Sequence, residues 1–312
     1  MEDRIVSRPP PVVAVVGPTA SGKSTLGLAL ADRLGGEILC CDSMQVYTGM
    51  DIGTAKPTAG EQAAIPHHLV DLLEPGDHFH AAAWADSARG LIEDLRQRER
   101  LPILVGGTGL YFRALVRGLF EAPAPDAAIR ARHQQEAAAT GVPSLHARLQ
   151  EIDPETAAKV LSGDLLRISR ALEVYEQTGV PISELRRRDR ARTPPLRLFS
   201  ILLDFPLDDL RLRIRQRVDA MMTAGFLDEV RALRAAGHGN ARAMQALGYK
   251  QLGQHLDGAC SLDEAIEQTK LATVAYARRQ RTWFRSEAIS LRVHTPPSVS
   301  ALARLVRGWL LV

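Results

Sequence analysis

The sequence contains few cysteines, only three in 312 residues. Cys40, Cys41 and Cys260 have neither the spacing of a zinc site nor the number that a disulfide framework needs. The chain also lacks a run of about 18 uncharged apolar residues, which a membrane-spanning helix requires. Its first residues, MEDRIVSRPPP, contain no apolar signal core. These absences argue against a disulfide scaffold and a membrane protein, and we expect a soluble cytoplasmic protein.

A large excess of charge of either sign is missing too. Because 39 Lys and Arg stand against 36 Asp and Glu, the net charge is only +3 and gives little reason to expect a polyanionic partner. The distribution of arginine is more informative, since local clusters in 186–192 and 278–285 can form positive surfaces for phosphate backbones. For the first cluster, a solvated helix face is an equally good interpretation. It consists of Arg186, Arg187, Arg188, Arg190 and Arg192.

Residues 17–24, GPTASGKS, form a complete phosphate-binding loop. A β-branched run at 12–16 precedes it and predicts a buried parallel strand, and the apolar spacing of 25–34 predicts a helix. In such a loop the backbone N–H groups and the helix N-terminus face phosphate oxygens, the lysine supplies charge, and the serine hydroxyl binds Mg²⁺. The predicted phosphate-binding residues are Gly17, Thr19, Ala20, Ser21, Gly22, Lys23 and Ser24, with Ser24 as the magnesium ligand.

Apolar strands alternate with helical patterns in the first third of the chain, and this alternation predicts a parallel sheet covered by helices. Residues 123–195 contain helical segments and no convincing strand, whereas RLFSILLD at 197–204 again predicts a buried strand. We therefore predict an α/β fold. Its P-loop NTPase-like parallel sheet core is formed by residues 1–122 and 196–312, and an all-helical domain is inserted at 123–195.

Acidic residues follow two of the predicted strands. Asp42 comes directly after the second strand, at the sheet edge where ligands of open parallel sheets bind. Its carboxylate is a candidate general base or magnesium ligand, and a turn-capping role is the alternative. Asp204 competes for the magnesium role, although the following Phe205 and Pro206 favour a simple strand exit. The third strand ends in GGTGLY at 106–111 without a magnesium carboxylate, which argues against an ordinary ATPase.

Two arginines occupy one face of the helix predicted after residue 204. Arg213 and Arg217 are separated by four residues and so lie one turn apart. Such a pair suits the clamping of a diphosphate, because guanidinium groups donate to phosphate oxygens in a forked geometry. Pairing with acidic residues of the protein is the simpler alternative.

Six sequence strings occur together and in order over nearly the whole chain. Together they closely resemble the tRNA dimethylallyltransferases, also called tRNA isopentenyltransferases. The resemblance implies transfer of a dimethylallyl group from dimethylallyl diphosphate to the N6 amine of the adenosine immediately 3′ of the anticodon, with release of diphosphate. The strings are GPTASGKS at 17–24, DSMQVYTGMDIGTAKP at 42–57, GGTGLYF at 106–112, RISRALEVYEQTG at 167–179, LGYKQ at 247–251 and RRQRTWFR at 278–285.

The resemblance also implies roles for individual residues. The phosphate loop would hold the diphosphate with Mg²⁺ and an arginine, either Arg213 or Arg217, while Asp42 would take a proton from the adenine amine. Thr108 would lie where diphosphate and base meet, and the adenine must swing out of the anticodon loop to reach it. The residues expected to contact tRNA are Asp42, Ser43, Met44, Gln45, Thr108, Arg130, Leu166, Arg167, Ile168, Ser169, Arg170, Gly248, Tyr249, Lys250, Arg278, Arg279, Gln280 and Arg285.

Two positions depart from the family pattern. Leu166 stands where many members have Gln, which puts one polar RNA contact in doubt, and Lys250 replaces an Arg, which keeps charge but loses the guanidinium fork. The chain ends without the Cys/His zinc finger of many eukaryotic members, so we expect a bacterial-type protein. The resemblance implies the tRNA anticodon stem-loop as its partner, and we expect a monomer. A small-molecule kinase, an adenylate isopentenyltransferase and a nucleotide-switched RNA-binding protein are the alternatives, and the helical insertion argues against the first two.

Overall fold

Six short strands form one sheet in which every neighbouring pair is parallel. The structure is a computed structural model that describes residues 8–119 and 123–312, apart from the side chains of 189–192. The strands are β1 Pro11–Val16, β2 Gly36–Cys41, β3 His67–His68, β4 Leu101–Gly106, β5 Arg197–Leu203 and β6 Leu291–Val293. Their order across the sheet is β3-β2-β4-β1-β5-β6.

The register of the central strands brings their carboxyl ends together. Val16 at the end of β1 is paired with Gly106 at the end of β4, and Gly106 is also paired with Cys41 at the end of β2. The segments that follow these three strands therefore leave the sheet at the same edge, because parallel strands share one direction. This edge contains the phosphate loop, Asp42 and Thr108.

Fourteen α-helices are assigned among the described residues. Polar side chains cap many of them: Thr58 and Ser261, for example, form complete capping boxes before the helices that begin at Ala59 and Leu262. The helices are α1 Lys23–Leu34, α2 Ala59–Ala64, α3 Ala81–Gln97, α4 Gly109–Arg117, α5 Ala127–Thr140, α6 Val142–Ile152, α7 Pro154–Ala157, α8 Leu165–Thr178, α9 Ile182–Arg192, α10 Leu207–Thr223, α11 Phe226–Leu233, α12 Tyr249–Leu256, α13 Leu262–Arg285 and α14 Val299–Leu311.

The chain divides into two compact units. The sheet unit contains residues 195–312 and the described residues up to 115, and its core includes Val13, Ile103 and Ile201 from three neighbouring strands. The helical unit spans 116–194, of which 120–122 lie outside the described residues, and Leu149 and Leu172 are among its fully buried side chains. The predicted fold class, a parallel α/β sheet with an all-helical insertion, is confirmed. No helix of the described ranges is long and apolar enough to cross a membrane.

Candidate active site

The loop between β1 and α1 has the backbone shape of an anion-binding turn. Gly22 caps α1 in the left-handed region, with φ 83°, a conformation that a residue without Cβ adopts at little cost. The Lys23 side chain folds back over the loop, and its Nζ donates to the carbonyl oxygen of Pro18 at 3.3 Å. The N-terminus of α1 and the lysine ammonium thus lie beside the same turn, as the sequence predicts.

Gln280 on α13 joins this loop to the segment after β4. The backbone N–H of Thr19 donates to Gln280 Oε1 at 2.8 Å, and Gln280 Nε2 donates to the carbonyl oxygen of Gly107 at 2.8 Å. The approach is so close that a Cβ on Gly107 would lie 2.3 Å from the glutamine nitrogen. Both ends of this buried amide are therefore used within the protein. These two contacts give Gln280 a positioning role within the protein, and the predicted contact with tRNA stays a prediction.

Two separate hydrogen bonds from the backbone of residues 43 and 44 hold the side chains of Asp42 and Thr108 beside the same segment. The backbone N–H of Met44 donates to Asp42 Oδ1 at 2.9 Å, and the N–H of Ser43 donates to Thr108 Oγ1 at 3.1 Å. The capping role considered for Asp42 thus involves one carboxylate oxygen. Among the described residues none donates a hydrogen bond to the other oxygen, Oδ2. A second role for Asp42 is therefore compatible with its role in the turn.

These residues line a cavity of about 470 Å³ in the sheet unit. It is bounded by the phosphate loop, the ends of β2 and β4, and the inward faces of α10 and α13. Thr108 adjoins the cavity through its hydrogen bond with Ser43, which lines it. Of the candidate residues named from the sequence, the lining includes Thr19, Lys23, Ser24, Asp42, Ser43, Met44, Gln45, Arg217, Tyr249, Arg279 and Gln280.

Among the charged groups that line the cavity, Lys23, Arg217 and Asp42 influence one another directly. Burial, assisted by repulsion from Arg217, lowers the pKa of Lys23 to about 8, although the charge of Asp42 opposes this shift. Burial also lowers the pKa of Arg217, again against the attraction of Asp42. Both shifts reflect a positive charge that is poorly solvated. The cavity is consequently suited to an anion that would restore favourable electrostatics around Lys23 and Arg217.

The structure distinguishes the two arginines that the sequence left as alternatives. Arg217 lines the cavity. Arg213, one turn earlier on α10, stacks over the ring of Phe205 with its guanidinium carbon 4.9 Å from the ring centroid, and it is not among the lining residues. The shared helix face is therefore too coarse a criterion, and Arg217 is the candidate for contact with a diphosphate.

Asp204 is engaged elsewhere. Arg281 Nε donates to Asp204 Oδ1 at 2.8 Å, and both side chains are largely buried. Asp204 does not line the cavity. The strand-exit interpretation therefore describes this residue better than a competing magnesium role. No group of three or more His, Cys, Asp or Glu residues with metal-binding geometry exists within 8–119 and 123–312.

Sequence reasoning missed two residues at the site. Glu229 on α11 accepts hydrogen bonds from the backbone N–H groups of Ile52 at 2.6 Å and Gly53 at 3.1 Å, which holds the 51–57 loop against the cavity. No local pattern in the sequence marks this contact. Tyr276 lines the cavity on α13, and here a signal was present: polar side chains repeat at helical spacing along one face of this helix. They are Thr269, Thr273, Tyr276 and Gln280.

The profile of a family described as IPP transferase matches residues 45–287, more than three quarters of the sequence. The chain belongs to the IPP transferase family. It is 48% identical to a tRNA dimethylallyltransferase of Anaeromyxobacter sp. (strain K), over 95% of this chain and 96% of that protein. It is 45% identical to a tRNA dimethylallyltransferase of Syntrophobacter fumaroxidans, with 95% of this chain and 87% of that protein covered.

Solved structures of tRNA-modifying enzymes have the same architecture as this IPP transferase family member. A full-length tRNA isopentenylpyrophosphate transferase from Bacillus halodurans superimposes with a TM-score of 0.71 at 37% identity, with 97% of each chain covered. A eukaryotic dimethylallyltransferase acting on tRNA gives a TM-score of 0.70 at 28% identity, covering 88% of this chain and 69% of that one.

The predicted tRNA segment 166–170 of this IPP transferase family member is partly buried. Ile168 is fully buried in the helical core, and Ser169 Oγ lies 2.9 Å from Nδ1 of the buried His133. The side chains of these two residues are therefore not available to RNA, which corrects that part of the prediction. Leu166 is 77% exposed, and the Arg167 side chain is 66% exposed.

Arg130 and Arg170 have a common partner inside the helical unit, the buried carboxylate of Glu173.

In the first arginine cluster, at 186–192, Arg187 and Arg188 pair with Glu184 on their own helix, in keeping with a solvated face. The side chains of Arg190 and Arg192 lie outside the described residues.

The predicted tRNA-contact residues in the C-terminal part of the sheet unit fall into a buried group and an exposed group. Gly248 and Tyr249 are buried, and the Tyr249 hydroxyl donates to Glu229 Oε1 at 2.5 Å. This contact connects α12 with the carboxylate that holds the 51–57 loop, so Tyr249 supports the cavity wall. The exposed candidates, whose side chains are accessible to a large polyanion, are Lys250, Arg278, Arg279 and Arg285.

Proposed function

We propose that the chain transfers a dimethylallyl group from dimethylallyl diphosphate to the N6 amine of the adenosine 3′-adjacent to the anticodon of tRNA, releasing diphosphate. One observation carries this proposal: a single cavity unites the cationic side chains of Lys23 and Arg217 with the carboxylate of Asp42. The cations suit an anionic leaving group, and the carboxylate suits removal of a proton from an amine. Membership of the IPP transferase family assigns this pair of tasks to tRNA prenylation.

In the proposed complex, the phosphate loop binds the diphosphate. The backbone N–H groups at the N-terminus of α1 and the ammonium group of Lys23 provide donors on one side, and Arg217 provides a guanidinium from α10. As the allylic C–O bond breaks, negative charge accumulates on the diphosphate. Donors that already point into the cavity stabilise this charge without reorganising.

A magnesium ion fits the oxygen donors at this position. Ser24 and Asp42 both line the cavity, where Ser24 supplies a hydroxyl. Asp42 supplies a carboxylate of which one oxygen, Oδ2, receives no hydrogen bond from the described residues. Mg²⁺ prefers such ligands together with substrate phosphates and water. We propose Ser24 as the protein ligand, and the ion would supply charge neutralisation to the departing diphosphate.

Asp42 acts as the general base in this proposal. The hydrogen bond from Met44 N–H uses Oδ1, so the second oxygen of this cavity-lining carboxylate would accept the proton from the adenine amine. Thr108 holds the segment after Asp42 through Ser43. The adenine must leave the base stack to reach this point, as in other enzymes that modify bases.

For tRNA contact we propose a smaller set than the sequence suggests: Ser43, Met44, Leu166, Arg167, Lys250, Arg278, Arg279 and Arg285. The exposed arginines would bind phosphates and the residues after Asp42 would approach the extruded base. We further propose a cytoplasmic monomer.

Incubation with labelled dimethylallyl diphosphate and either unmodified tRNA or AMP tests the activity. Label should appear in tRNA, in a reaction that requires Mg²⁺ and neither requires nor consumes ATP. Label in AMP alone would indicate an adenylate isopentenyltransferase, and ATP-dependent turnover of a small molecule would indicate a kinase. The absence of any transfer with intact tRNA binding would favour a non-catalytic RNA-binding protein.

A further inference from the structure

Tyr276 lines the cavity, and the reaction described above gives it no role. It is on α13, one turn before Gln280, and its ring lines the cavity together with Asp42 and Arg217. The guanidinium carbon of Arg279 lies 5.6 Å from the ring centroid, so the ring is covered on one face by a cation.

The hydroxyl of Tyr276 forms a hydrogen bond with Thr108, whose oxygen also accepts the N–H of Ser43. Because Thr108 has one hydroxyl proton, donating it to Tyr276 leaves the phenolic proton of the tyrosine without an acceptor in this chain of contacts. Burial and the nearby charge of Asp42 raise the pKa of Tyr276 to about 12. The phenol therefore stays protonated at neutral pH and remains a donor.

Asp42 and Tyr276 thus offer complementary groups on either side of Thr108. The carboxylate is an acceptor and the phenol is a donor. Adenine has the matching pattern: its exocyclic amine donates, and the two ring nitrogens that flank it, N1 on the Watson–Crick edge and N7 on the major-groove edge, accept. Guanine has a carbonyl acceptor in place of the amine, which would face the carboxylate of Asp42 unfavourably.

We propose that the Tyr276 hydroxyl donates a hydrogen bond to N1 or N7, a ring nitrogen that flanks the target amine, and that with Asp42 it selects adenine and orients the amine. The proposal rests on the proposed function, because it assumes an adenine in this cavity. The diphosphate is a less suitable acceptor, because Lys23 and Arg217 already provide charged donors and Thr108 places the hydroxyl next to Asp42.

The test combines Tyr276→Phe with base analogues. Anticodon stem-loop RNAs would contain adenosine, 1-deazaadenosine or 7-deazaadenosine at the target position, and all three retain the amine. With adenosine, Tyr276→Phe should lower kcat/KM about five- to a hundredfold, the range for a polar group that loses its partner. With the analogue that lacks the bonded nitrogen, kcat/KM of the unsubstituted enzyme should fall by a similar factor. On that analogue, Tyr276→Phe should lower kcat/KM by no more than about a further twofold.

A much smaller effect of Tyr276→Phe on one analogue than on adenosine RNA, which we call coupling, supports the proposal and identifies the ring nitrogen. Equal losses on all three RNAs would overturn it, as would a higher KM for dimethylallyl diphosphate without coupling, which would place the hydroxyl on the diphosphate. Tyr111→Phe is the matched control, since this buried tyrosine stacks on Trp84 outside the cavity lining. Equilibrium tRNA affinity reports folding of both variants. Failure of the unsubstituted enzyme to modify adenosine RNA would instead overturn the proposed function, and this proposal with it.

Discussion

Arg170 Nη1 donates to Glu173 Oε2 at 2.7 Å, and the carboxylate of Glu173 is completely buried. Arg130 reaches the same carboxylate from α5, and the backbone N–H of Asp126 donates to it at 2.6 Å. Burial alone would raise the pKa of Glu173, but the hydrogen bonds from the two arginines lower it. Arg170 is thus part of the structure of the helical unit, whereas the largely exposed Arg167 pairs only loosely with Asp164, at 3.4 Å.

This difference predicts that two neighbouring substitutions change the stability of the protein by different amounts. Arg170→Ala should lower the free energy of unfolding by about 1.5–3 kcal/mol, because a buried charged group loses a hydrogen bond. Arg167→Ala should change it by less than about 0.5 kcal/mol, as is usual for exposed positions. Chemical denaturation of the two variants and the parent measures the contrast.

In RNA binding, Arg167→Ala should weaken tRNA affinity. It should lower the slope of log K against log salt by about 0.7 for a single-stranded contact or about 0.9 for a duplex contact. Affinity for dimethylallyl diphosphate should stay unchanged. Unaltered tRNA affinity at every salt concentration would exclude Arg167 from the interface and leave Arg278, Arg279 and Arg285 as the better candidates.

Asp42→Asn should abolish most of the transfer activity. The substitution keeps the size of the side chain and the acceptor for Met44 N–H, but it removes the base, whose loss typically lowers rates about 10²–10⁴-fold. Single-turnover rates at saturating substrates measure the loss, and tRNA affinity should change little. A variant that keeps more than half of the parental rate would disprove the assignment.

Arg217→Gln and Arg213→Gln form a matched pair on one helix. Arg217 faces the cavity, so its substitution should weaken dimethylallyl diphosphate binding roughly ten- to a hundredfold, the equivalent of a lost charged hydrogen bond. Arg213 stacks on Phe205, and its substitution should leave this affinity within about twofold of the parent. Direct measurement of dimethylallyl diphosphate affinity in both variants tests this difference. A larger loss of affinity in Arg213→Gln would identify Arg213 as the diphosphate contact instead.

The pKa of Lys23, lowered to about 8, predicts a pH dependence of diphosphate binding. Only the protonated amine attracts the anion, so affinity should be highest below pH 8 and fall as the pH rises through 8. The bound anion favours the protonated form, and the midpoint in the complex should therefore lie higher than in the free protein. Lys23→Arg, which remains charged, should remove this fall. An identical fall in the arginine variant would assign the titration to another group.

The longer strands were predictable from the sequence because apolar and β-branched residues are concentrated in them. β1, β2, β4 and β5 each have six or seven residues, most of which are buried. β3 and β6 escaped prediction, since two or three residues are too few to show a period. Their positions at the two edges of the sheet follow from pairing with β2 and β5, which are distant in sequence.

The candidate active site likewise has parts that local sequence predicts and parts that depend on distant segments. The phosphate-binding turn was predictable from GPTASGKS at 17–24, because glycine backbone freedom, a lysine and a hydroxyl act over neighbouring residues. The parallel order of the strands likewise implies that Asp42 lies at the ligand edge. Local spacing thus determined the loop, the predicted base and the family.

Tertiary structure alone decided which of several similar side chains face the cavity. Arg213 and Arg217 are equivalent in a helical pattern, and only the packing of α10 against Phe205 separates them. Gln280 and Tyr249 have hydrogen-bond partners, Gly107 and Glu229, that come from distant segments of the chain. A side chain's partner depends on which elements pack together in space, and the period of one helix or strand does not contain that information.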